Sequence, residues 1–427
     1  MNDVNTTPTA NPVDADRVDA DRVDADRLWS RLMAMAQVAP TVNGGSNRQA
    51  LSDDDAAGRA LFLGWATAAG CTHEIDEIGN LFVRRPGLDP DAPPVLIGSH
   101  LDTQPTGGRF DGVYGVLGGL EVIERLNDLG IQTETPIDLV VWTNEEGSRF
   151  QVSMMGSGVW AQKLSVDDAC ALTDIDGVTV GEELDRLGWR GARPAQPTPL
   201  TGSFELHIEQ GPILEAEELE IGVVTGVQGL RWFTIELGGF PAHAGPTPME
   251  GRKDPARVIA RIVSRVYGLV DERAPWARGT FAQFGSEPVS PNTIPERLWC
   301  TLDLRHPEGE VLEEMESLMR TIVAEEADAH GVTHSITKRM DSAPVAFDEN
   351  CVASVEEAVA ELGFTNHRMF SGAGHDACYV ALHAPTSMIF VPCDDGLSHN
   401  EAENITKEQA ERGASVLLGA VRRMAGA

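Results

Sequence analysis

Pro94-Val95-Leu96-Ile97-Gly98 runs straight into Ser99-His100-Leu101-Asp102-Thr103, and Ile137-Asp138-Leu139-Val140-Val141-Trp142 runs straight into Thr143-Asn144-Glu145-Glu146-Gly147. Both apolar runs have strand length and no regular polar face, the mark of strands buried on both sides. Between them, residues 115–127 carry helical spacing. Buried strands alternating with helices predict an α/β domain, with a central mixed sheet covered by helices. In such sheets chemistry gathers beyond the carboxyl ends of the strands. His100, Asp102, Glu145 and Glu146 stand there.

Working outward, Leu28-Trp29-Ser30-Arg31-Leu32-Met33 opens a first amphipathic helix, residues 53–69 form a second, and residues 80–84 a further strand. From Leu230 the order changes. A strand at 231–237, a helix at 254–272, strands near 280–284 and 298–304, a helix at 308–330 and a strand at 333–338 follow one another. This β-α-β-β-α-β order is a compact ferredoxin-like unit of its own. After Pro344 the first pattern resumes, with an apolar strand at 386–391 and a helix from Thr406. The prediction is a catalytic domain of residues 23–228 and 341–427, interrupted by an inserted α+β domain of residues 229–340. Val-Asp-Ala-Asp-Arg occurs three times over residues 13–27. A period of five fits neither helix nor strand, so residues 1–22 read as a disordered acidic tail.

The formal charge of −33 makes nucleic acid and anionic membranes poor partners, since both are bound through Lys and Arg. Lys163, Lys253, Lys338 and Lys407 are the only lysines. Salt adaptation and genome base composition explain so acidic a chain equally well. The 6 cysteines lack C-x-x-C spacing, no leader-like apolar stretch is visible, and no run is long enough to span a bilayer. A cytoplasmic location is the expectation.

Ligand-type side chains recur at Gly108-Arg109-Phe110-Asp111-Gly112, Leu206-His207-Ile208-Glu209-Gln210-Gly211 and Leu397-Ser398-His399-Asn400-Glu401. Amide hydrolysis at neutral pH needs a strong nucleophile and a stabilised oxyanion. Two divalent metal ions supply both, by acidifying a water and polarising the carbonyl. Asp111 could bridge such a pair, with His100, Glu146, His207 and His399 as terminal ligands. Glu145 is the spare carboxylate that takes the water's proton, and Asp102 is placed to orient His100. Gly118-Gly119 and Gly238-Gly239 lack phosphate-loop spacing, and Ser153 to Ser157 lack a nucleophile-elbow pattern. These read as packing and turn residues.

The motifs at 98–105, 108–112 and 144–147 resemble the M20-type metallopeptidase superfamily. Within it, His207-Ile208-Glu209-Gln210-Gly211-Pro212 and Ala373-Gly374-His375-Asp376-Ala377 resemble the amidase/carbamoylase branch. That branch holds N-carbamoyl-L-amino acid hydrolases, β-ureidopropionases and allantoate amidohydrolases. The resemblance runs from about Leu28 to the end. It implies metals on His100, Asp111, Glu146, His207 and His399, and Glu145 as general acid/base. It further implies that the inserted domain is a lid and the interface of a homodimer. Zinc is the default, while the same ligand types suit Mn²⁺, Co²⁺ or Ni²⁺.

A carbamoyl amino acid presents a ureido carbonyl to the metals and a carboxylate at its far end. Arg305 suits that carboxylate as a bidentate clamp, the alternative being a surface salt bridge. Asn292 offers a donor and an acceptor, although turn chemistry alone would justify it. His243 could donate to the developing oxyanion and Gln210 to the ureido group. The resemblance supports all four, adds the backbone at Gly374, and brings His243 from the partner subunit. The expected reaction cleaves the ureido C–N bond of N-carbamoyl-L-amino acids or N-carbamoyl-β-alanine. The rivals are allantoate hydrolysis, an aminoacylase or dipeptidase, and a non-catalytic binding relative.

Overall fold

A computed structural model describes residues 21–427. The chain folds as two compact units; the first runs to Thr225 and resumes at Phe347, and the second is Gly226–Ala346. The tail expected over 1–22 lies outside the described residues up to residue 20. Asp21 and Arg22 are tied to the fold by ion pairs with Arg422 and Glu411. No helix among the described residues is long and apolar enough to cross a membrane.

In chain order the first unit holds β1 (Thr72–Ile75), β2 (Leu81–Arg85), β3 (Val95–His100), β4 (Ile137–Trp142), β5 (Gly202–Ile208) and β6 (Ile221–Val227, which crosses the boundary). The second holds β7 (Gly229–Gly238), β8 (Ala242–His243), β9 (Arg278–Glu287), β10 (Thr293–Ile294), β11 (Arg297–His306), β12 (Thr333–Ser342) and β13 (Val345–Ala346). β14 (Asn366–Ser371) and β15 (Thr386–Val391) return to the first.

The large sheet runs β1-β2-β4-β3-β5-β15-β6, with β14 also beside β6. Its centre, β4-β3-β5-β15, is parallel, and β1, β2 and β6 pair antiparallel around it. This is the expected central mixed sheet. Leu96, Ile97, Val140 and Val141 are buried, each contributing about 1.5–3 kcal/mol over exposure. The helix Val113–Asp128 presses on the sheet through its glycines. A Cβ at Gly118 would stand 2.7 Å from the Leu206 side chain, and one at Gly119 2.6 Å from that of Leu139. That close approach is why the glycine pair is there.

The second unit has the order β12-β7-β11-β9, antiparallel throughout, which is the ferredoxin-like arrangement. The helices Pro255–Asp271 and Gly309–Ala329 supply Val258, Ile262, Val266, Met315, Met319 and Val323 to a core shared with Phe233, Ile235, Leu302 and Leu304. The unit reaches beyond residues 229–340 at both ends, because Val345–Ala346 pairs with Gly226–Val227. Entry and exit thus form a two-stranded ladder, which no local pattern announces.

Candidate metal centre

His100 closes β3 and His207 is next to last in β5, so both imidazoles leave parallel strands at the same edge. His100 Nδ1 lies 2.9 Å from the carbonyl oxygen of Asp102, and His207 Nδ1 2.9 Å from that of Ile208. A carbonyl only accepts, so each Nδ1 carries a proton; His100 Nε2 is left for a proton or a metal ion, while the Gly112 N–H donates to His207 Nε2 at 3.2 Å. Both Nε2 atoms face Asp111 Oδ1, at 3.6 Å from His100 and 3.1 Å from His207. Two ligand atoms on one tetrahedral ion stand about 3.3 Å apart, so this spacing fits a shared cation. His399 Nε2 lies 3.5 Å from Asp111 Oδ2 and 3.2 Å from Glu146 Oε2. In each group, His100/Asp111/His207 and Asp111/Glu146/His399, the ligand atoms lie within 4.8 Å of one another. Asp111 therefore belongs to both.

The backbone around these groups is constrained. Gly112 has φ 67°, and a Cβ there would stand 2.3 Å from the His100 ring. Asn144, Gln210 and His399, at φ 56°, 57° and 54°, are non-glycine residues in the left-handed region, where strain collects at functional sites. Asn144 is held by its side-chain amide, which donates to the carbonyls of Phe150 and Val152 at 3.0 Å each. Glu145 and Glu146 follow it, and their N–H groups donate to the Asp102 carboxylate at 3.3 and 3.2 Å. Glu145 Oε2 then stands 3.5 Å from His100 Nε2.

Burial pushes the Glu145 carboxyl well up, and Asp376, Glu146 and Asp111 add to it against the opposing charge of His100. Asp111 is also buried, yet hydrogen bonds from His100 and His207 bring it well below the usual range. Burial alone would lower His100, but Glu145, Asp111 and Asp102 carry it well above its ordinary value. Glu146 holds His399 up at about 9. A field that favours a proton on these nitrogens favours a metal cation there for the same reason, and the two compete.

Asp102 meets the His100 ring through its backbone. Its main-chain carbonyl, not its carboxylate, orients His100; the carboxylate oxygen is 3.9 Å from Nδ1 and serves Glu145 and Glu146 instead. Burial lifts Asp102 to about 6. Gln210 Nε2 donates to Asp111 Oδ2 at 2.8 Å, while its buried Oε1 finds no protein partner. Gly374 is exposed beside the Met154 side chain.

In the second unit, β8 pairs His243 with Thr293 of β10, and the Ala244 N–H donates to the Asn292 carbonyl at 2.8 Å. His243 and Asn292 are so brought together. His243 Nδ1 accepts the Gly245 N–H at 3.1 Å, which leaves Nε2–H as a donor on an exposed ring. Arg305, 28% exposed, binds Asp303 with Nη2 2.8 Å from Oδ2, so the surface ion pair is present.

Four buried groups at this edge went unassigned in the sequence reading. Glu205 accepts from Ser99 Oγ at 2.6 Å and from the Ala377 N–H at 2.9 Å, and groups with His207 and His375. Burial pushes His375 well down and Asp376 well up, the latter with Glu205 adding. Glu403 rises to about 7 through burial and the nearby Asp111. Glu205 had a signal, since it sits two residues before His207 and shares its strand face. His375 and Asp376 lay inside a recognised motif, and Glu403 had no local signal.

The family described as peptidase family M20/M25/M40 matches residues 96–423. The chain belongs to this family, and it is a hydrolase. It is 47% identical over 394 residues to an N-carbamoyl-L-amino-acid amidohydrolase of Rhizobium meliloti, covering 92% of this chain and 95% of that one. It is 32% identical over 393 residues to an allantoate amidohydrolase of Bacillus subtilis (strain 168), covering 92% and 95%. A crystal structure of an amidase of the hydantoinase/carbamoylase family from Burkholderia multivorans matches with a TM-score of 0.92 at 51% identity, covering 95% of this chain and 98% of that one. Family and side-chain cluster together mark divalent-metal dependence.

Proposed function

We propose that the protein hydrolyses the ureido C–N bond of N-carbamoyl-L-amino acids. One water is consumed, and the products are the amino acid, CO₂ and ammonia. The observation that carries this reading is Asp111, whose two oxygens face His100 with His207 on one side and His399 with Glu146 on the other. Those residues would hold two divalent ions, with zinc the first choice and Mn²⁺, Co²⁺ or Ni²⁺ compatible. Bound there, the ions supply Lewis acidity and a more acidic water.

Burial and the surrounding carboxylates raise the Glu145 carboxyl, which stands beside His100. Glu145 takes the proton of the attacking water and returns it to the leaving nitrogen. Asp102 holds Glu145 and Glu146 through their N–H groups. Gln210 presents its free Oε1 to an N–H of the ureido group. Arg305 and Asn292 are assigned to the substrate carboxylate, Gly374 to a backbone contact, and His243 to the oxyanion.

The test is ammonia release from N-carbamoyl-L-methionine, N-carbamoyl-β-alanine and allantoate, with Mn²⁺, Zn²⁺ or chelator present. N-acetyl-L-methionine completes the panel, scored by free amine. Metal-dependent turnover of the carbamoyl-L-amino acid is the expected result. Turnover of allantoate alone transfers the proposal to allantoate hydrolysis, for which the Bacillus subtilis relative speaks. Silence across the panel with metal bound defeats both.

A further inference from the structure

Glu403 lies between His399 and the helix Lys407–Ala425, and its side chain is fully buried. Its Oε1 accepts the main-chain N–H groups of Phe110 at 2.9 Å and Asp111 at 3.1 Å. Its Oε2 lies 3.2 Å from the Ser398 hydroxyl, which is 2.6 Å from Asp111 Oδ2. One carboxylate therefore holds the Asp111 backbone, and it sits beside the Ser398 hydroxyl, whose single proton serves the closer Asp111 Oδ2. The approach is tight; a Cβ at Gly108 would stand 2.0 Å from the Glu403 carboxyl carbon. Beside it Arg109 Nη2 donates to Asn404 Oδ1 at 2.8 Å, clasping the same two loops a second time. One loop carries Asp111 and the other His399, from opposite ends of the sequence.

A buried carboxylate is costly unless it is hydrogen-bonded, and here the bonds come from the Asp111 loop. We infer that Glu403 is a positioning residue of the metal centre. It fixes the Asp111 carboxylate so that one oxygen faces His100 and His207 while the other faces His399 and Glu146. The inference rests on the reading of Asp111 as the ligand common to both groups. Without Glu403 the Asp111 loop is free to turn that carboxylate, and metal affinity falls before any other property of the enzyme.

The experiment is titration of Mn²⁺ and of Zn²⁺ into chelator-stripped full-length protein, with the thermal midpoint measured in parallel. Glu403→Ala is expected to bind metal about 10- to 100-fold more weakly, with activity recovering at high metal. Glu403→Gln keeps a carbonyl for both N–H groups and should stay within about 3-fold of wild type. Asp111→Ala is the control and should lose affinity more severely still. Unchanged affinity in Asp111→Ala would overturn the underlying reading. Unchanged affinity in Glu403→Ala, with Asp111→Ala impaired, overturns the inference alone. Should Glu403→Ala not fold, Glu403→Asp keeps the charge and draws the carboxylate back from both N–H groups. A loss of about 10-fold there supports the inference, and wild-type affinity overturns it.

Discussion

Two sets of acids, one at the strand ends of the first unit and one on the helix Gly309–Ala329 of the second, are treated in opposite ways. In the first, burial pushes Asp102, Glu145, Asp376 and Glu403 up from the ordinary carboxylate range. In the second, Glu316 and Glu326 are held below that range, because Lys338, Arg320, Arg261 and Arg265 reach them. The chain has 33 basic side chains against 66 acidic ones, so it cannot pair every acid. In the second unit Arg231 bonds Glu313, Glu316 and Asp341 together, and Lys338 joins Glu316 to Asp341. The acids at the strand ends of the first unit are grouped with histidines and one another, and Arg59 and Arg48 act on Asp102 only as neighbouring charges. A buried carboxyl without a cation lowers stability, and its presence marks a place where a cation or a proton is handled. The difference separates acids that brace a helix surface from acids gathered at the candidate metal centre.

The largest effect should come from Glu145→Gln, which keeps the shape and removes the proton acceptor. Turnover is expected to fall about 10²- to 10⁴-fold, with metal content unchanged by elemental analysis. A variant that turns over normally would break the contrast at its centre. Arg305→Ala comes next. Loss of a charge-assisted contact to the substrate carboxylate should raise KM about 10- to 100-fold and leave metal content alone. An unchanged KM would return Arg305 to the structural set, as the partner of Asp303 that it already is.

The smallest effect sharpens the other side of the comparison. Burial pushes Glu316 up, but hydrogen bonds from Lys338 and Arg320 outweigh it and hold its folded value below the ordinary one. Its stabilisation is therefore present above the unfolded glutamate range and lost as pH falls through the lower folded value. Glu316→Gln should cost about 1 kcal/mol at pH 7, with the difference from wild type shrinking below about pH 4. Thermal midpoints of the two proteins across pH 3–7 read it out. A deficit that persisted in acid would mean that packing, not ion pairing, had been lost.

Much of this is legible in the sequence. Val95–His100, Ile137–Trp142 and Thr386–Val391 are buried along their whole length and announce themselves by apolar content alone. β5 goes beyond what the apolar runs point to. In Gly202-Ser203-Phe204-Glu205-Leu206-His207-Ile208 every second residue is polar, which imitates a strand with one wet face. Both faces are buried, and at Glu205 the polar side is satisfied by Ser99 and Ala377. Periodicity reports polarity, and burial agrees with it only where polar groups lack partners inside.

The sequence by itself determined the class of fold, the two-part organisation and the ligand types at the strand ends, because each is written in short runs of neighbouring residues. Tertiary structure alone decided how the ligands divide about Asp111, that a carbonyl and not a carboxylate orients His100, and that Glu403 reaches back to hold the Asp111 loop. Those facts join residues far apart along the chain. Such contacts depend on which strands lie side by side and how closely their loops meet, and only the packed chain sets those distances.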